Sequence, residues 1–153
     1  MNVSNICSRN AITVRRSDEL VKAAQLMREK HVGFLVVVEP DVADGLQRPI
    51  GVLTDRDIVT TVVARETDAR TLRVGDVMTQ PPVTVDTADS MDEALREMRR
   101  AGVRRMPVIG ERRELVGILS LDDVLGALAG ELQNVAGSIR NEQVIEGALR
   151  PCE

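Results

Sequence analysis

Aromatic residues are almost absent from this chain of 153 residues, which has no Trp, no Tyr and a single phenylalanine, Phe34. A pocket in this protein cannot stack a planar ligand between aromatic rings, so it has to use aliphatic side chains and backbone groups. The single histidine, His31, follows a predicted helix and has no evident partner that would orient it as a base. Phosphate-binding Walker loops, dinucleotide fingerprints and zinc-ligand spacings are missing as well. We therefore expect that the protein is not an enzyme.

Cysteine, long apolar runs and basic charge are also scarce. Cys7 and Cys152 lie at opposite ends of the chain, so we expect reduced thiols in a cytosol, with a disulfide between the termini as the alternative. No apolar run is long enough to cross a membrane and no signal segment is evident, which predicts a cytoplasmic protein that does not bind membranes. The net charge of -4 and the pI near 5.2 disfavour nucleic-acid binding. That alternative would have to rely on the arginines at 99, 100, 104, 105, 112 and 113.

The chain contains an internal duplication instead. The segment GVLTDRDI at 51–58 returns as GILSLDDV at 117–124, and apolar positions from Ile12 onwards correspond at a constant offset to positions from Val83 onwards. Each copy is too small to bury a generous core alone, so we expect the two copies to fold as one module. The predicted boundaries are repeat one at 6–65, a linker at 66–78, repeat two at 79–132, and a C-terminal helical extension and tail at 133–153.

The order of elements within a repeat follows from periodicity. A short strand precedes a helix, which in repeat two begins with a capping box at Ser90 and Glu93 and ends before Gly102. Two mostly apolar strands follow, and a second helix begins at the hydroxyl residue of the repeated motif. The fold class is therefore α/β (α+β), with two β-α-β-β-α units packed by pseudo-twofold symmetry.

The duplicated motif consists of a glycine, an apolar pair, a hydroxyl residue and an aspartate. With the Met106-Pro107 step, it resembles the tandem cystathionine-β-synthase (CBS) domain pair, also called the Bateman module. The resemblance covers residues 6 to 132. It implies a sensor of adenosine-containing ligands with two clefts related by the pseudo-twofold axis, and a module of this kind commonly dimerises.

The repeated motif has two interpretations. A strand that ends at Thr54 and turns into a helix leaves backbone N–H groups free for a phosphate, while Asp57 can accept hydrogen bonds from two ribose hydroxyls. Arg56 can lie near the phosphates. Ser120 and Asp123 repeat the arrangement without the arginine and with an extra negative charge. In the alternative interpretation, both motifs are ordinary helix caps that bind nothing.

The resemblance further implies that each cleft is shared between the repeats. It assigns to the first cleft Thr54, Arg56, Asp57, Thr79, Val83, Val103, Arg104, Met106 and Pro107. It assigns to the second cleft Ser120, Asp123, Ile12, Val32, Gly33, Phe34 and Leu35. The first is the better nucleotide site because its arginines offset phosphate charge, whereas Val36 stands at the place of Pro107 in repeat one.

The C-terminal region predicts an oligomer. Apolar residues follow heptad-like spacing at Leu121, Leu125, Leu128, Leu132, Val135 and Ile139. The first half of this seam can pack on its own domain, but the second half has no domain left to cover. We therefore predict a homodimer in which this helix and the helix starting near Asp55, through Ile58 and Val62, meet across a twofold axis.

Two functions follow from these expectations. The first is a regulatory module that senses an adenosine nucleotide, AMP ahead of ATP, ADP or NAD, and signals to an unknown protein partner. The second is a scaffold with vestigial clefts that acts only by dimerising and docking on a protein partner.

Overall fold

The computed structural model describes residues 1–149, and within that range it shows the predicted β-α-β-β-α order twice. Repeat one comprises β1 (Thr13–Val14), α2 (Leu20–Lys30), β2 (Phe34–Pro40), β3 (Gln47–Thr54) and α3 (Asp55–Ile58), which continues as a π-helical turn at Val59–Val63. Repeat two comprises β4 (Val85–Asp86), α5 (Met91–Ala101), β5 (Arg105–Ile109), β6 (Leu115–Ser120) and α6 (Leu121–Leu149). The short helices α1 (Val3–Ile6) and α4 (Val74–Val77) precede the two repeats, and a 3-10 turn lies at Ala69–Thr71.

Each repeat builds a three-stranded sheet with the same topology. The first sheet has the order β1-β2-β3 and the second β4-β5-β6, with a parallel pair followed by an antiparallel hairpin. At one end of the first hairpin Phe34 pairs with Thr54, and at the corresponding end of the second Arg105 pairs with Ser120. The predicted α+β class is confirmed.

Helix α5 shows why the local prediction succeeds. The Ser90 hydroxyl accepts a hydrogen bond from the Glu93 N–H at 3.2 Å, and the Glu93 carboxylate accepts one from the Ser90 N–H at 2.8 Å. Hydrogen bonds from the backbone and the hydroxyl of Ser90 also lower the pKa of Glu93. The helix ends at Gly102, whose φ of 68° is the left-handed conformation that glycine adopts without strain.

The short helices that lead into the repeats are exchanged between them. Helix α1 contributes the fully buried Val3 to the core of repeat two, and α4 contributes the fully buried Val74 to the core of repeat one. The exchange brings the Ser8 backbone against Gly117, where a Cβ atom would lie 2.2 Å from the Ser8 carbonyl oxygen. The interval assigned to a linker, 66–78, thus contains both the 3-10 turn and α4.

The two sheets meet along their hairpins. On β2, Leu35 and Val37 point into the core of repeat one, while the alternate residues face the other repeat. This second face forms a separate apolar cluster of Phe34, Val36 and Val38 with Ala11, Val52, Leu115 and Ile118. The cluster contains residues of both hairpins, so the two repeats pack directly against each other.

Helix α6 runs well past the end of repeat two. Val124 is buried, but the heptad positions that follow are exposed, with Leu132 at 70% and Leu125 at 63%. In the helix of repeat one the structure differs from the expected interface, because Val62 is buried in the core of its own repeat and Ile58 packs against that core. The exposed residues there are Val59 and Val63. No helix within residues 1–149 is both long enough and apolar enough to cross a membrane.

Candidate ligand-binding cleft

The end of β3 and the start of α3 form a reciprocal cap. The Thr54 hydroxyl accepts a hydrogen bond from the Asp57 N–H at 3.1 Å, and Asp57 Oδ2 accepts one from the Thr54 N–H at 2.9 Å. Among the described residues, the Asp57 carboxylate uses only Oδ2 in hydrogen bonds, so Oδ1 retains its acceptor capacity. The capping role and a ligand-binding role are therefore compatible at this position.

A cavity of about 760 Å³ opens beside this cap, between the repeats. Seven of the residues predicted for the first cleft line this cavity. The lining comprises Gly33, Phe34, Val52, Thr54, Asp55, Arg56, Asp57, Thr79, Val83, Gly102, Val103, Arg104 and Arg105. Of these, Val52, Asp55 and Gly102 are not among the residues expected at either cleft.

Two residues predicted for the first cleft lie elsewhere. Met106 is fully buried in the core of repeat two, and Pro107, the next residue on β5, is also buried. Neither lines the cavity, because β5 enters it only at its first residue, Arg105. The cleft wall from repeat two therefore consists of Thr79, Val83 and the residues around the start of β5, and not of the centre of that strand.

Gly33 and Phe34, which were expected at the second cleft, lie at the first cavity. The antiparallel pairing of β2 with β3 sets Phe34 opposite Thr54, and the Asp55 N–H donates to the Gly33 carbonyl at 3.1 Å. A Cβ atom at Gly33 would lie 2.4 Å from the Asp55 carboxylate. The absence of a side chain at Gly33 therefore leaves room for Asp55 at the rim of the cavity. The register of β2 against β3 brings Gly33 and Phe34 to this cavity, and no single sequence motif specifies that register.

The remaining second-cleft residues do not line the first cavity. The Ser120 hydroxyl donates to Asp123 Oδ2 at 2.6 Å, and the same oxygen accepts from the Ser120 N–H at 2.8 Å. Leu35 is fully buried in repeat one, and Ile12 and Val32 pack against that core. A smaller cavity of about 380 Å³ lies at α2 and β1, and neither cavity is lined by Ser120 or Asp123.

Charge also distinguishes the two motifs. Arg56, Arg104 and Arg105 are all exposed at the first cavity, where they face two carboxylates, Asp55 and Asp57. In repeat two, the positions equivalent to 55 and 56 are a leucine and an aspartate. The first cavity therefore combines cationic side chains with a carboxylate acceptor, and this combination fits a ligand that carries both hydroxyls and an anionic group.

Two β-α-β-β-α units that exchange their short leading helices, with an open cleft between them, define a tandem-repeat module. The sequence model of the CBS domain matches residues 3–64 and 74–130, and the chain belongs to this family as a tandem CBS pair.

Relatives of this chain are found in bacteria and archaea. Hypoxic response protein 1 of Mycobacterium tuberculosis is 37% identical over 120 residues, which cover 78% of this chain and 80% of that protein. An uncharacterised protein of Methanopyrus kandleri, MK0525, is 31% identical over 125 residues, which cover 82% of this chain and only 61% of that protein. Among solved structures, the CBS domain protein PAE2072 from Pyrobaculum aerophilum, complexed with AMP, superposes with a TM-score of 0.70. It is 26% identical, with 80% of this chain and 89% of that chain covered.

Proposed function

We propose that the first cleft binds an adenosine nucleotide, AMP in the first place and ATP, ADP or NAD as alternatives, and that the protein is a regulatory module and not an enzyme. The observation that carries this proposal is the cavity of about 760 Å³ in which Asp57 and the start of α3 face the second repeat. Its volume lies within the range of about 300–1,000 Å³ that is usual for small-molecule sites. The AMP complex of the Pyrobaculum protein supports the ligand class.

Each part of a nucleotide has a counterpart in the cleft. Asp57 Oδ1 can accept hydrogen bonds from the ribose hydroxyls while Oδ2 maintains the cap. Arg56 and Arg104 offer positive charge to a phosphate, whereas the N–H groups of residues 55–57 already donate hydrogen bonds within the protein. The adenine would lie among Val83, Val103 and Phe34, since the chain contains no Trp or Tyr.

Signalling follows from the shared nature of the cleft. Both repeats line the cavity, so a ligand that fits one relative arrangement of the repeats better than another shifts the population towards it. The shift alters the outer surface that a protein partner in the cytoplasm would contact. Its magnitude is limited by the difference in ligand affinity between the two arrangements.

We also propose that the module is a homodimer. The exposed apolar residues of α6 and the exposed pair Val59 and Val63 lie on the two helices that follow the repeated motif, and Val59 and Leu125 occupy equivalent positions in the two repeats. Apolar surface repeated in this way fits burial against a second copy of the chain. The same surface supports the alternative function, a scaffold without ligand, if the cleft binds nothing.

Thermal unfolding with AMP, ADP, ATP, NAD and S-adenosylmethionine, each added separately, tests the proposed function. Binding to the folded state stabilises it by about 2.7 kcal/mol at a ligand concentration of 100 Kd, and the melting temperature rises as a result. We expect a shift with at least one nucleotide and a much smaller shift in Asp57→Ala, each compared with its own ligand-free protein. If wild type shows no shift with any of the five compounds, the scaffold function replaces the sensor.

A further inference from the structure

An ion pair joins the two repeats at the ends of the hairpins that lie away from the cleft. Asp44 lies in the turn between β2 and β3, and Arg112 lies in the turn between β5 and β6. Arg112 Nη2 donates to Asp44 Oδ2 at 2.9 Å, although the two residues are 68 positions apart in sequence. The contact therefore ties the turn of one repeat to the turn of the other.

The Asp44 carboxylate is held in place by its own repeat. Arg48 donates to both of its oxygens, at 3.1 and 2.9 Å, and the Leu46 N–H donates to Oδ1 at 3.0 Å. Arg48 also contacts Asp41 at 2.7 Å, and the side chain of Asp44 is only 16% exposed. The hydrogen bonds from Arg48 and Leu46 lower the pKa of Asp44 to about 2. The acceptor offered to Arg112 is therefore charged and already oriented.

Repeat two also contributes the carboxylate of Glu114, whose negative charge attracts Arg48 of repeat one. Glu114 accepts a hydrogen bond from the Arg112 N–H at 3.0 Å, which orders the turn that carries Arg112. The hydrogen bonds of Asp44 and the negative charges of Asp41 and Glu114 together raise the pKa of Arg48. Opposite charges from both turns thus alternate in one cluster, formed by Asp41, Asp44, Arg48, Arg112 and Glu114.

The cluster and the cleft occupy opposite ends of the same two hairpins. In the first hairpin the Phe34–Thr54 pair lies at the cleft and Asp44 lies in the far turn, and in the second Arg105 lies at the cleft and Arg112 lies in the far turn. At about 3.3 Å per residue the separation along β2 is roughly 20 Å. Between the two ends the hairpins meet through apolar side chains, whose attraction is non-directional. A hydrogen-bonded ion pair, in contrast, favours one geometry.

We propose that Asp44 and Arg112 are positioning residues, which hold the two hairpins in the relative orientation that sets the width of the cleft at their other end. The consequence for ligand affinity rests on the proposed function of the cleft. Because coupling between two sites is reciprocal, a nucleotide in the cleft stabilises the Asp44–Arg112 contact as much as the contact stabilises binding.

A distance measurement without ligand tests the positioning itself. Spin labels on Arg56→Cys and Arg104→Cys, in a chain whose native cysteines are replaced by serine, report the distance across the cleft by pulsed electron paramagnetic resonance. We expect Arg112→Ala to shift or broaden the distance distribution. The matched control is Arg100→Ala, since Arg100 pairs with Glu97 inside α5 and does not cross the repeats. Identical distributions in the parent protein and in both variants would overturn the proposal.

The affinity for AMP tests the coupling to the cleft. An ion pair in which one partner is 64% exposed contributes modestly, so Arg112→Ala should weaken AMP binding by about two- to fivefold. The difference should shrink near 1 M salt, where charges are screened beyond about 3 Å, and Arg112→Lys should restore most of the affinity. Equal affinities of wild type and Arg112→Ala at low salt would contradict the coupling. Should wild type bind no AMP, the proposed function fails while the distance measurement still decides the positioning role.

Discussion

The exchange of the short helices between repeats makes the third residue of the chain a core residue. Val3 is fully buried among residues of repeat two, including Val85 and Met98, which follow it by more than 80 positions. Chain termini of small domains are usually frayed and tolerate substitution. The exchange therefore predicts that Val3→Ala destabilises the module strongly, whereas a frayed terminus would not respond.

The magnitude follows from the atoms that are removed. Truncation of valine to alanine deletes the equivalent of two methylene groups, or about 1.6 kcal/mol of transfer free energy at ~0.8 kcal/mol each. The cavity that remains adds up to about 1 kcal/mol where the surroundings cannot collapse. We expect a loss of about 2 to 3 kcal/mol in the free energy of unfolding, which is a large fraction of the stability of a typical domain.

Urea unfolding at fixed protein concentration measures this loss. Val74→Ala is the matched variant, because Val74 is the equivalent residue of α4 and is fully buried in repeat one. Val42→Ala is the control, since Val42 is fully exposed at the tip of a turn and should change stability by less than about 0.5 kcal/mol. If Val3→Ala behaved like Val42→Ala while Val74→Ala was destabilised, the exchange of α1 into repeat two would be refuted.

Three further predictions concern the cleft, the ion-pair cluster and the dimer. Gly33→Ala places a Cβ against the Asp55 carboxylate, which can swing away. We therefore expect a severalfold loss of AMP affinity in calorimetry with little change in the free energy of unfolding. Unchanged affinity would mean that this part of the cavity wall does not contact the ligand. The pKa of Asp44 is depressed to about 2 by Arg48, so its stabilisation is fully present above about pH 4 and is lost as the pH falls from there through about 2. The gap in unfolding free energy between wild type and Asp44→Asn should therefore be constant from about pH 5 to 7 and narrow below about pH 4 in urea titrations, whereas a gap that widened in acid would contradict this sign. Leu132→Glu buries a charge in the proposed dimer interface. Light scattering should therefore show a monomer for this variant and a dimer for wild type. A wild-type monomer at micromolar concentration would reject the dimer.

Much of the fold was predictable because it is encoded locally and twice. The capping box at Ser90 and Glu93, the left-handed Gly102 and the strand-to-helix turn at Thr54 are short-range features, and each forms as expected. The relation between the repeats was less accessible. Nothing near Val3 in sequence indicates that its partners lie in the other repeat, because that contact depends on packing between distant segments.

The candidate site was predictable to the same extent. The cavity is lined by residues of the motif, such as Thr54 and Asp57. It is also lined by residues of repeat two that precede its strands, such as Val83 and Arg104. The sequence does not specify which side chains of a strand face the cleft and which face the core. Met106, for example, was expected at the cleft but points into the core of repeat two. Side chains on a strand change faces at each step, so a motif that identifies a strand does not by itself identify the residues that face a cleft.

Calorimetric titration of AMP into Asp57→Asn and Asp123→Asn tests the central claim most directly. Both substitutions keep an oxygen that can accept the capping hydrogen bond and remove one negative charge at equivalent positions of the two repeats. The first cleft contains Asp57 and not Asp123, so we expect Asp57→Asn to lose at least about tenfold in affinity, the equivalent of about 1.4 kcal/mol, while Asp123→Asn binds like wild type. Equal affinities in all three proteins, or an equal loss in both variants, would contradict the assignment of the nucleotide to the cleft beside Asp57.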